Sequence, residues 1–231
     1  MELALICAQQ VIVLFLLIGV GTLAVKTGVL KLEHKQPLSN LLVNIVVPAM
    51  IVNSYQMEFS LEILRNLLAA FGLSILTIAL GTVLTLALTA RRKNSRTAIF
   101  RFASIFSNAA YMGFPLISAL FGSEGLLYAS AYVTVFNVLL WTLGYSMVSG
   151  SSDPKAVVKS LAHTPAIYAV LVGLAIYLLQ IPIPALLAQP ISLLGAMNTP
   201  LSMLITGMLI GILSDRILSA VKRDGRKSSS R

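Results

Sequence analysis

Long apolar runs alternate with short polar connections along the whole chain. Each run holds about 20 predominantly apolar residues, the length that an α-helix needs to cross the hydrocarbon core of a membrane. The runs cover residues 5–25, 38–57, 66–89, 98–121, 125–148, 165–181 and 190–213. The pattern therefore predicts an all-α polytopic membrane protein with about seven transmembrane helices.

The composition agrees with this pattern and narrows the class of protein. Hydrophobic residues make up 57% of the chain and charged residues only 11%, against about 45–50% and about 25% in soluble domains. The net charge of +9 could indicate a nucleic-acid partner, but the basic residues lie in the connections between apolar runs. That placement is typical of the charges that orient membrane proteins, so we expect the lipid bilayer as a partner and no nucleic acid.

The basic residues also indicate which connections share a side of the membrane. With seven crossings, all but one of the 17 Lys and Arg residues lie on one side, and only Arg65 lies on the other. Removing the second or fourth run, which contain Pro and Asn, would mix the two sets. The positive-inside rule then predicts a multi-pass protein of the inner or plasma membrane, with its N-terminus outside and its C-terminus in the cytoplasm. Arg101, the one basic residue within a run, can snorkel to the cytoplasmic interface.

The fourth run, which includes SNAAYMGFPL, contains three residues that disfavour a continuous helix, Asn108, Gly113 and Pro115. Pro115 lacks a backbone N–H and its ring clashes with the carbonyl of Tyr111, while Gly113 adds flexibility. We therefore expect a proline-broken span, with two half-helices that meet near Met112–Pro115 and a second half that begins at Pro115. Such a break survives at membrane depth only where protein or a watery cavity covers it, and its helix N-terminus would favour an anion. A simple proline kink absorbed by packing is the alternative.

The second and seventh runs carry similar interruptions. In the second run Asn40, Asn44 and Pro48 recur every four residues and share one helix face, and in the seventh Pro200 follows Asn198. Aligning the prolines matches LLVNIVVPAMIV with LLGAMNTPLSML at three of twelve positions. The two runs lie five crossings apart and run in opposite directions, as an inverted repeat requires. Inverted repeats with broken helices are typical of secondary transporters.

A five-span repeat divides the chain into four parts. These are a first repeat at 1–150, a cytoplasmic linker at 151–164, the first two spans of a second repeat at 165–213, and a basic cytoplasmic tail at 214–231. A complete pair of such repeats needs ten spans. We therefore expect a chain that is shortened at its C-terminal end relative to a full carrier.

At these residues the sequence resembles the auxin efflux carrier family, whose members occur in bacteria as well as plants. The resemblance rests on SNAAYMGFPL (107–116), FGSEGLLYASAYVTVFNVLLWTLG (121–144), LLVNIVVPAMIV (41–52) and NTPLSMLITGMLIG (198–211). It implies ten spans in two inverted repeats, of which this chain resembles the first seven, with broken fourth and ninth spans that cross at the substrate site. It also implies a permease or exporter of small organic anions, including dicarboxylates such as malate and malonate.

The candidate substrate-binding residues are Asn44, Pro48, Asn108, Tyr111, Gly113 and Pro115. The resemblance implies that Asn108, Gly113 and Pro115 belong to the first crossing element, and that Asn44 and Pro48 belong to the span facing it. The amide of Asn108 can donate to a carboxylate without burying a fixed charge, or it can bond the freed backbone at the break. For Tyr111 the alternative role is packing, and for Asn44 it is hydrogen bonding between helices.

The residue types that the spans lack also limit the chemistry. No Asp or Glu lies in the core of a span, so the sequence offers no obvious ion-coupling carboxylate. With one Cys and two distant His residues we expect no metal site and no cofactor, and no catalytic constellation occurs at membrane depth. We therefore expect that the protein is not an enzyme. Gly207 and Gly211 form a small-xxx-small pair, which favours close contact with another helix.

The leading hypothesis is a secondary transporter that moves small organic anions across the cytoplasmic membrane by alternating access. The alternative, from another class, is a non-transporting membrane protein, either a truncated remnant or a seven-helix receptor or scaffold. Two chains could also combine to complete a carrier, which leaves homo-oligomerisation open.

Overall fold

The computed structural model consists of α-helices joined by short connections. It describes residues 2–91, 97–106, 109–144, 146–147, 155 and 164–228, and the side chains of residues 2–4, 6–7, 109–112, 141 and 215–228 lie outside this description. The helices are α1 (Glu2–Lys26), α2 (Lys35–Leu41), α3 (Val47–Ser54), α4 (Leu61–Thr89), α5 (Thr97–Ile105), α6 (Ala109–Leu139), α7 (Pro165–Leu179), α8 (Ala185–Ala196) and α9 (Asn198–Ser228). Two π-helical segments, Leu42–Val46 and Leu140–Gly144, follow α2 and α6.

Within the described residues, five helical stretches are long and apolar enough to cross a membrane. They are Ala8–Lys26, Leu32–Ser54, Leu61–Thr89, Gly113–Gly144 and Ala185–Ser214, and the apolar helix Pro165–Leu179 is shorter. Within the described part of the chain no residue belongs to a β-strand. The prediction of an all-α polytopic membrane protein is therefore confirmed.

Local sequence explains several helix boundaries. Ser60 precedes α4, and its side chain accepts a hydrogen bond from the backbone N–H of Ile63 at 3.5 Å, as an N-cap residue does. Pro165 opens α7, where its missing N–H removes no intrahelical bond. Gly122 has φ 58° and ψ −146°, a conformation that glycine alone adopts readily, and it kinks α6. The kink separates the end of the predicted fourth span from the start of the fifth.

The chain divides into two compact units. Unit 1 comprises Met1–Leu42 and Met197–Arg231, and unit 2 comprises Val43–Ala196. Both divisions fall inside predicted spans. One lies within the π-helical segment of the second span, and the other directly before the residue Met197, which separates α8 from α9 in the seventh.

In unit 1, α1 packs closely against α9. A Cβ added at Gly207 would meet the carbonyl oxygen of Ile18, and one added at Gly211 would meet the side chain of Val25 at 3.2 Å. The backbones approach this closely because glycine has no side chain, as in the small-residue contacts of membrane helices. The predicted close contact at Gly207 and Gly211 is therefore confirmed.

The direction of this contact bears on the number of crossings. Residue numbers rise together along the contact, from Ile18 with Gly207 to Val25 with Gly211, so α1 and α9 run parallel. Two helices that cross a membrane in the same direction are separated by an odd number of other crossings. The predicted seven-span pattern places five crossings between them and so agrees with the parallel packing.

The core of unit 2 lies where α3, α4, α6 and α7 pack together. Its fully buried side chains include Ile51, Tyr55, Leu67, Leu127 and Tyr177. Because lipid tails are as apolar as these side chains, close packing stabilises such a core more than transfer from water does.

Candidate functional site

The fourth span is interrupted, but the predicted position of the break is wrong. α5 ends at Ile105 and α6 begins at Ala109, and α6 continues through Pro115. Pro115 removes only one backbone hydrogen bond, and both it and Phe114 are almost completely buried. Packing around these two residues therefore holds the backbone helical where the proline alone favours a break. α5 thus ends several residues before Met112–Pro115.

The first half of the interrupted span is short, and a residue in its middle ties it to the end of α4. α5 has nine residues and a length of about 13 Å, less than half of the hydrocarbon core. The guanidinium of Arg101 donates from Nε to Thr89 Oγ1 at 2.8 Å and from Nη2 to the Thr89 carbonyl at 3.1 Å. The positive charge of Arg101, next to the last residue of α4, also interacts favourably with the negative C-terminal end of that helix dipole. Arg101 thus joins α5 to the end of α4.

An aromatic cluster fixes the C-terminal end of α5. Phe106 is buried, and its ring centroid lies 5.4 Å from that of Phe102 and 5.6 Å from that of Phe136, the second pair being edge to face. Tyr132 continues the cluster, 6.0 Å from Phe136. A Cβ at Gly144 would lie 3.0 Å from the Phe106 ring, so glycine leaves room for that ring. The cluster holds the residue that directly follows α5.

A cleft of about 510 Å³ lies beside this interruption. Ser104 and Ile105 line it from the end of α5, Tyr132 lines it from α6, and Ser74 and Thr77 line it from α4. Ser74 and Thr77 lie near the middle of a helix long enough to span the membrane. The cleft is therefore at about mid-membrane depth, where broken backbone needs a protein or water-filled surrounding.

The cleft offers hydroxyl groups and no formal charge. Ser74, Thr77 and Ser104 donate to backbone carbonyls one turn earlier, at 2.6, 2.9 and 2.9 Å, so their oxygen lone pairs stay available as acceptors. The hydroxyl of Tyr132 has no hydrogen-bond partner within the described part of the chain and can donate to a solute. Across the same residues no three His, Cys, Asp or Glu side chains come together as metal ligands.

The structure describes only some of the predicted site residues of the fourth span. Asn108 lies outside the described residues, and so does the side chain of Tyr111. Gly113 is half-buried with open space where a Cβ would lie, and Pro115 is buried within α6. Neither lines the cleft beside the interruption.

The predicted residues of the second span lie elsewhere in unit 2. Asn44 is exposed in the π-helical segment Leu42–Val46, and Pro48 is the second residue of α3. Pro48 lines a largely apolar groove of about 470 Å³ together with Pro165 and Tyr168 of α7. This groove and the cleft share no lining residue. The structure therefore does not bring the visible predicted residues together at one cavity.

Sequence reasoning missed the hydroxyl residues of the cleft. Ser74 and Thr77 are three positions apart in the middle of an apolar span, which places them on one helix face. That spacing indicates, from the sequence alone, a polar face on this span. Ser104 and Tyr132 carry no comparable signal, because only the packing of α5 and α6 brings them beside α4.

The second and seventh spans are interrupted in similar ways. A π-helical segment directly precedes Val47 and Pro48 at the start of α3. Met197 directly precedes α9, in which Pro200 is the third residue. In both spans the irregular backbone lies just before the proline, which fits a residue that lacks an N–H but suits the first turn of a helix.

Comparisons with known proteins place the chain among transporters. The family described as "Membrane transport protein" matches residues 6–160. An uncharacterized transporter of Methanothermobacter thermautotrophicus is 26% identical over 208 residues, covering 87% of this chain and 67% of that protein. An uncharacterized transporter of Methanocaldococcus jannaschii is 23% identical over 211 residues, covering 86% and 67%. This chain thus matches about two thirds of the length of these relatives, and it belongs to the membrane transport protein family that includes the auxin efflux carriers.

Proposed function

We propose that this multi-pass membrane protein is a secondary transporter of small organic anions, with its substrate path at the interrupted fourth span. The observation that carries the proposal is the uncharged, hydroxyl-lined cleft next to Ser104 and Ile105, where α5 stops. Family membership supports a transport role and not catalysis. The Tyr132 hydroxyl can donate to a carboxylate, and the oxygens of Ser74, Thr77 and Ser104 can accept from a hydroxyl group of the solute.

The choice of an anion rests on the helix that follows the interruption. The N-terminal end of α6, at Ala109, carries a partial positive charge that favours a carboxylate. Asn108 directly precedes that residue in the sequence, the position at which an Asn side chain bonds the first turn of a helix or donates to a ligand. The proposed contacts of Asn44, Pro48 and Gly113 with substrate lie outside this cleft. Dicarboxylates such as malate are the substrates to test first.

The transport mechanism is proposed to be alternating access between two inverted repeats. The matching interruptions before Pro48 and Pro200 support a repeat that relates residues 1–150 to a second copy starting at residue 165. The orientation proposed is an outside N-terminus and a cytoplasmic C-terminus, with 151–164 as a cytoplasmic linker. The basic residues of 214–231 then lie on the side that the positive-inside rule requires.

Counterflow in liposomes tests this function. The purified chain is reconstituted, and uptake of radiolabelled malate is compared with uptake by empty vesicles and by vesicles with the Tyr132→Phe variant. Removing a hydrogen bond to a charged solute costs about 1.5–3 kcal/mol, so malate uptake should fall about tenfold or more. Tyr128→Phe is the matched control, because Tyr128 lines neither the cleft nor the groove that contains Pro48.

Two outcomes would contradict the proposal. If Asn108→Ala and Tyr132→Phe both keep the wild-type rate, the proposed substrate path is wrong. If no carboxylate in a broad panel shows flux above empty vesicles, the polypeptide is not a transporter by itself. The non-transporting receptor or scaffold, or assembly with a second chain, is then favoured.

A further inference from the structure

The described basic residues of unit 1 all lie at one of its ends. They occur between the end of α1 and the start of α2, and in the part of α9 beyond Ser214: Lys26, Lys31, Lys35, Arg216, Lys222, Arg223, Arg226 and Lys227. The same two stretches contain three acidic residues, Glu33, Asp215 and Asp224. The opposite end of unit 1, at residues 1–5 and 197–201, contains neither Lys nor Arg. Unit 1 therefore has an excess of positive charge at one end.

The parallel packing of α1 on α9 brings these two stretches together. Gly211 lies against Val25, so Lys26, the last residue of α1, is level with the turn of α9 that follows Gly211. α9 continues beyond that turn as far as Ser228. At 1.5 Å per residue, Arg216 is only about 6 Å further along the helix axis than Lys26. α2, which begins with Lys35, also packs against α9.

The membrane spans place four of these charges at the depth of lipid headgroups. Lys26 ends one span, Lys31 directly precedes the span that begins at Leu32, and Arg216 follows the end of another span at Ser214 by two residues. Lys35 lies one turn inside its span, from which a lysine side chain can snorkel to the interface. Each headgroup layer is about 5–8 Å thick, which includes the step from Lys26 to Arg216.

The remaining basic residues of α9 lie further from the membrane. Residues 222–227 follow Arg216 by about 9–17 Å along the helix axis. Physiological salt screens charges over about 8 Å, so these residues act on the membrane surface more weakly. We call Lys26, Lys31, Lys35 and Arg216 the basic end of unit 1.

Neighbouring carboxylates do not neutralise the basic end. Lys26 and Lys35 are exposed, and neither forms an ion pair with any described side chain. Glu33 is the one acidic residue between α1 and α2, and its Oε1 lies 3.9 Å from Lys31 Nζ and 3.8 Å from His34 Nε2. Exposed pairs of this kind are weak. The positive charges of Lys26 and Lys35 thus stay available to a partner outside the protein.

The orientation of the spans accounts for the sign of these charges but not for their convergence. Basic connections orient a membrane protein wherever they lie in the fold. Here the contact of α1 with α9 gathers basic residues from opposite ends of the sequence around one helix pair. Several Lys and Arg residues directly beside a membrane span are typical of sites for anionic lipids.

We propose that the basic end of unit 1 binds the phosphate headgroups of anionic phospholipids. The ammonium groups of Lys26, Lys31 and Lys35 pair with lipid phosphates, and Arg216 adds a further positive charge at the same depth. A bound lipid links the connection after α1 to α9 and so stabilises unit 1. This binding needs neither a transported solute nor flux, and it is therefore independent of the proposed transport function.

Thermal unfolding of the purified full chain in an uncharged detergent tests the proposal. Phosphatidylglycerol or phosphatidylcholine is added at increasing concentration, and Tm is followed by circular dichroism. A lipid that binds the folded protein raises Tm as its concentration rises, so phosphatidylglycerol should raise Tm and phosphatidylcholine should not. In 1 M NaCl, where the screening length is about 3 Å, most of the rise should disappear.

The double variant Lys26→Gln with Lys35→Gln locates the binding. A basic residue near an anionic surface increases affinity about fivefold, so this variant should need about 25-fold more phosphatidylglycerol for the same rise in Tm. Both lysines are exposed, so the substitutions leave the packing of unit 1 intact. The matched control is Lys155→Gln with Lys159→Gln, which removes the same charge from unit 2 and should respond like wild type.

Four results would overturn the assignment. Equal rises with the two lipids would show that headgroup charge is not recognised, and an equal rise with inorganic phosphate would assign the binding to the free anion. Wild-type behaviour of the Lys26 and Lys35 variant would place the lipid elsewhere. Equal losses in the two double variants would indicate a general response to net charge. If the double variant does not fold, Lys35→Gln is compared with Lys155→Gln, and an expected difference of about fivefold decides the outcome.

Discussion

Replacing Gly207 by Ala should separate α1 from α9 in unit 1. The new methyl group would meet the carbonyl oxygen of Ile18, and it would lie 2.9 Å from the backbone N of Thr22. Backbone atoms cannot rotate away as a side chain does, so the helices must move apart. Thr22 Oγ1 lies 3.0 Å from the Gly207 carbonyl, and that contact is lost as well.

The size of the effect follows from these contacts. Overpacking costs about 1–3 kcal/mol, and loss of the interhelical hydrogen bond adds about 0.6 kcal/mol. Exchanging Gly for Ala within a helix stabilises the helix by about 1 kcal/mol, because Ala has the higher helix propensity. The net loss should be about 1–2 kcal/mol, which lowers Tm by about 2–8 °C for a chain of this size. Thermal unfolding followed by circular dichroism in detergent measures the change.

Gly19→Ala provides the matched control on α1. Nothing lies within 4 Å of a Cβ added at Gly19, so the same chemical change should leave Tm unchanged or raise it slightly. The reasoning is refuted if Gly207→Ala and Gly19→Ala unfold at the same temperature. The close approach of α1 and α9 would then not contribute to stability.

Three further substitutions test other contacts by the same unfolding measurement. Phe106→Ala opens the aromatic cluster at the interruption and should cost about 3–5 kcal/mol; an unchanged Tm would mean that the cluster does not hold the break. Arg101→Lys keeps the charge but loses the two donors to Thr89, and it should cost about 1 kcal/mol. A Tm equal to that of wild type would show that the charge at position 101, and not its hydrogen bonds to Thr89, stabilises this contact. Gln180→Gly relieves left-handed strain of about 1–2 kcal/mol but loses three hydrogen bonds of about 1 kcal/mol each, so a small net loss is expected. A gain in Tm would show that strain outweighs the bonds.

The spans were predictable because hydropathy and loop charge act over many residues at once. The apolar runs and the single opposing Arg65 predicted seven crossings, and the parallel packing of α1 with α9 agrees with that number. The Gly207 and Gly211 pair was also informative, since small residues at this spacing permit close backbone approach in any membrane helix pair. These features depend on local sequence and on the membrane.

The position of the break in the fourth span was not predictable in this way. Pro115 is the strongest local helix breaker in the run, yet the helix continues through it. The interruption lies next to Phe106, whose ring packs on Phe136 and beside Gly144, residues some 30 to 40 positions later. A proline removes one hydrogen bond, whereas a buried aromatic cluster supplies many contacts, and the larger set determines where the helix ends.

The sequence by itself therefore determined that this chain crosses the membrane repeatedly, how its charges are divided, and which family it resembles. Tertiary structure decided where the spans break, which hydroxyl groups share a cleft, and that the connections after α3 and α7 enclose a separate cavity. The physical reason is the range of the interactions. Hydropathy and charge act residue by residue along the chain, but a binding cavity exists only once side chains from distant helices have been packed around it.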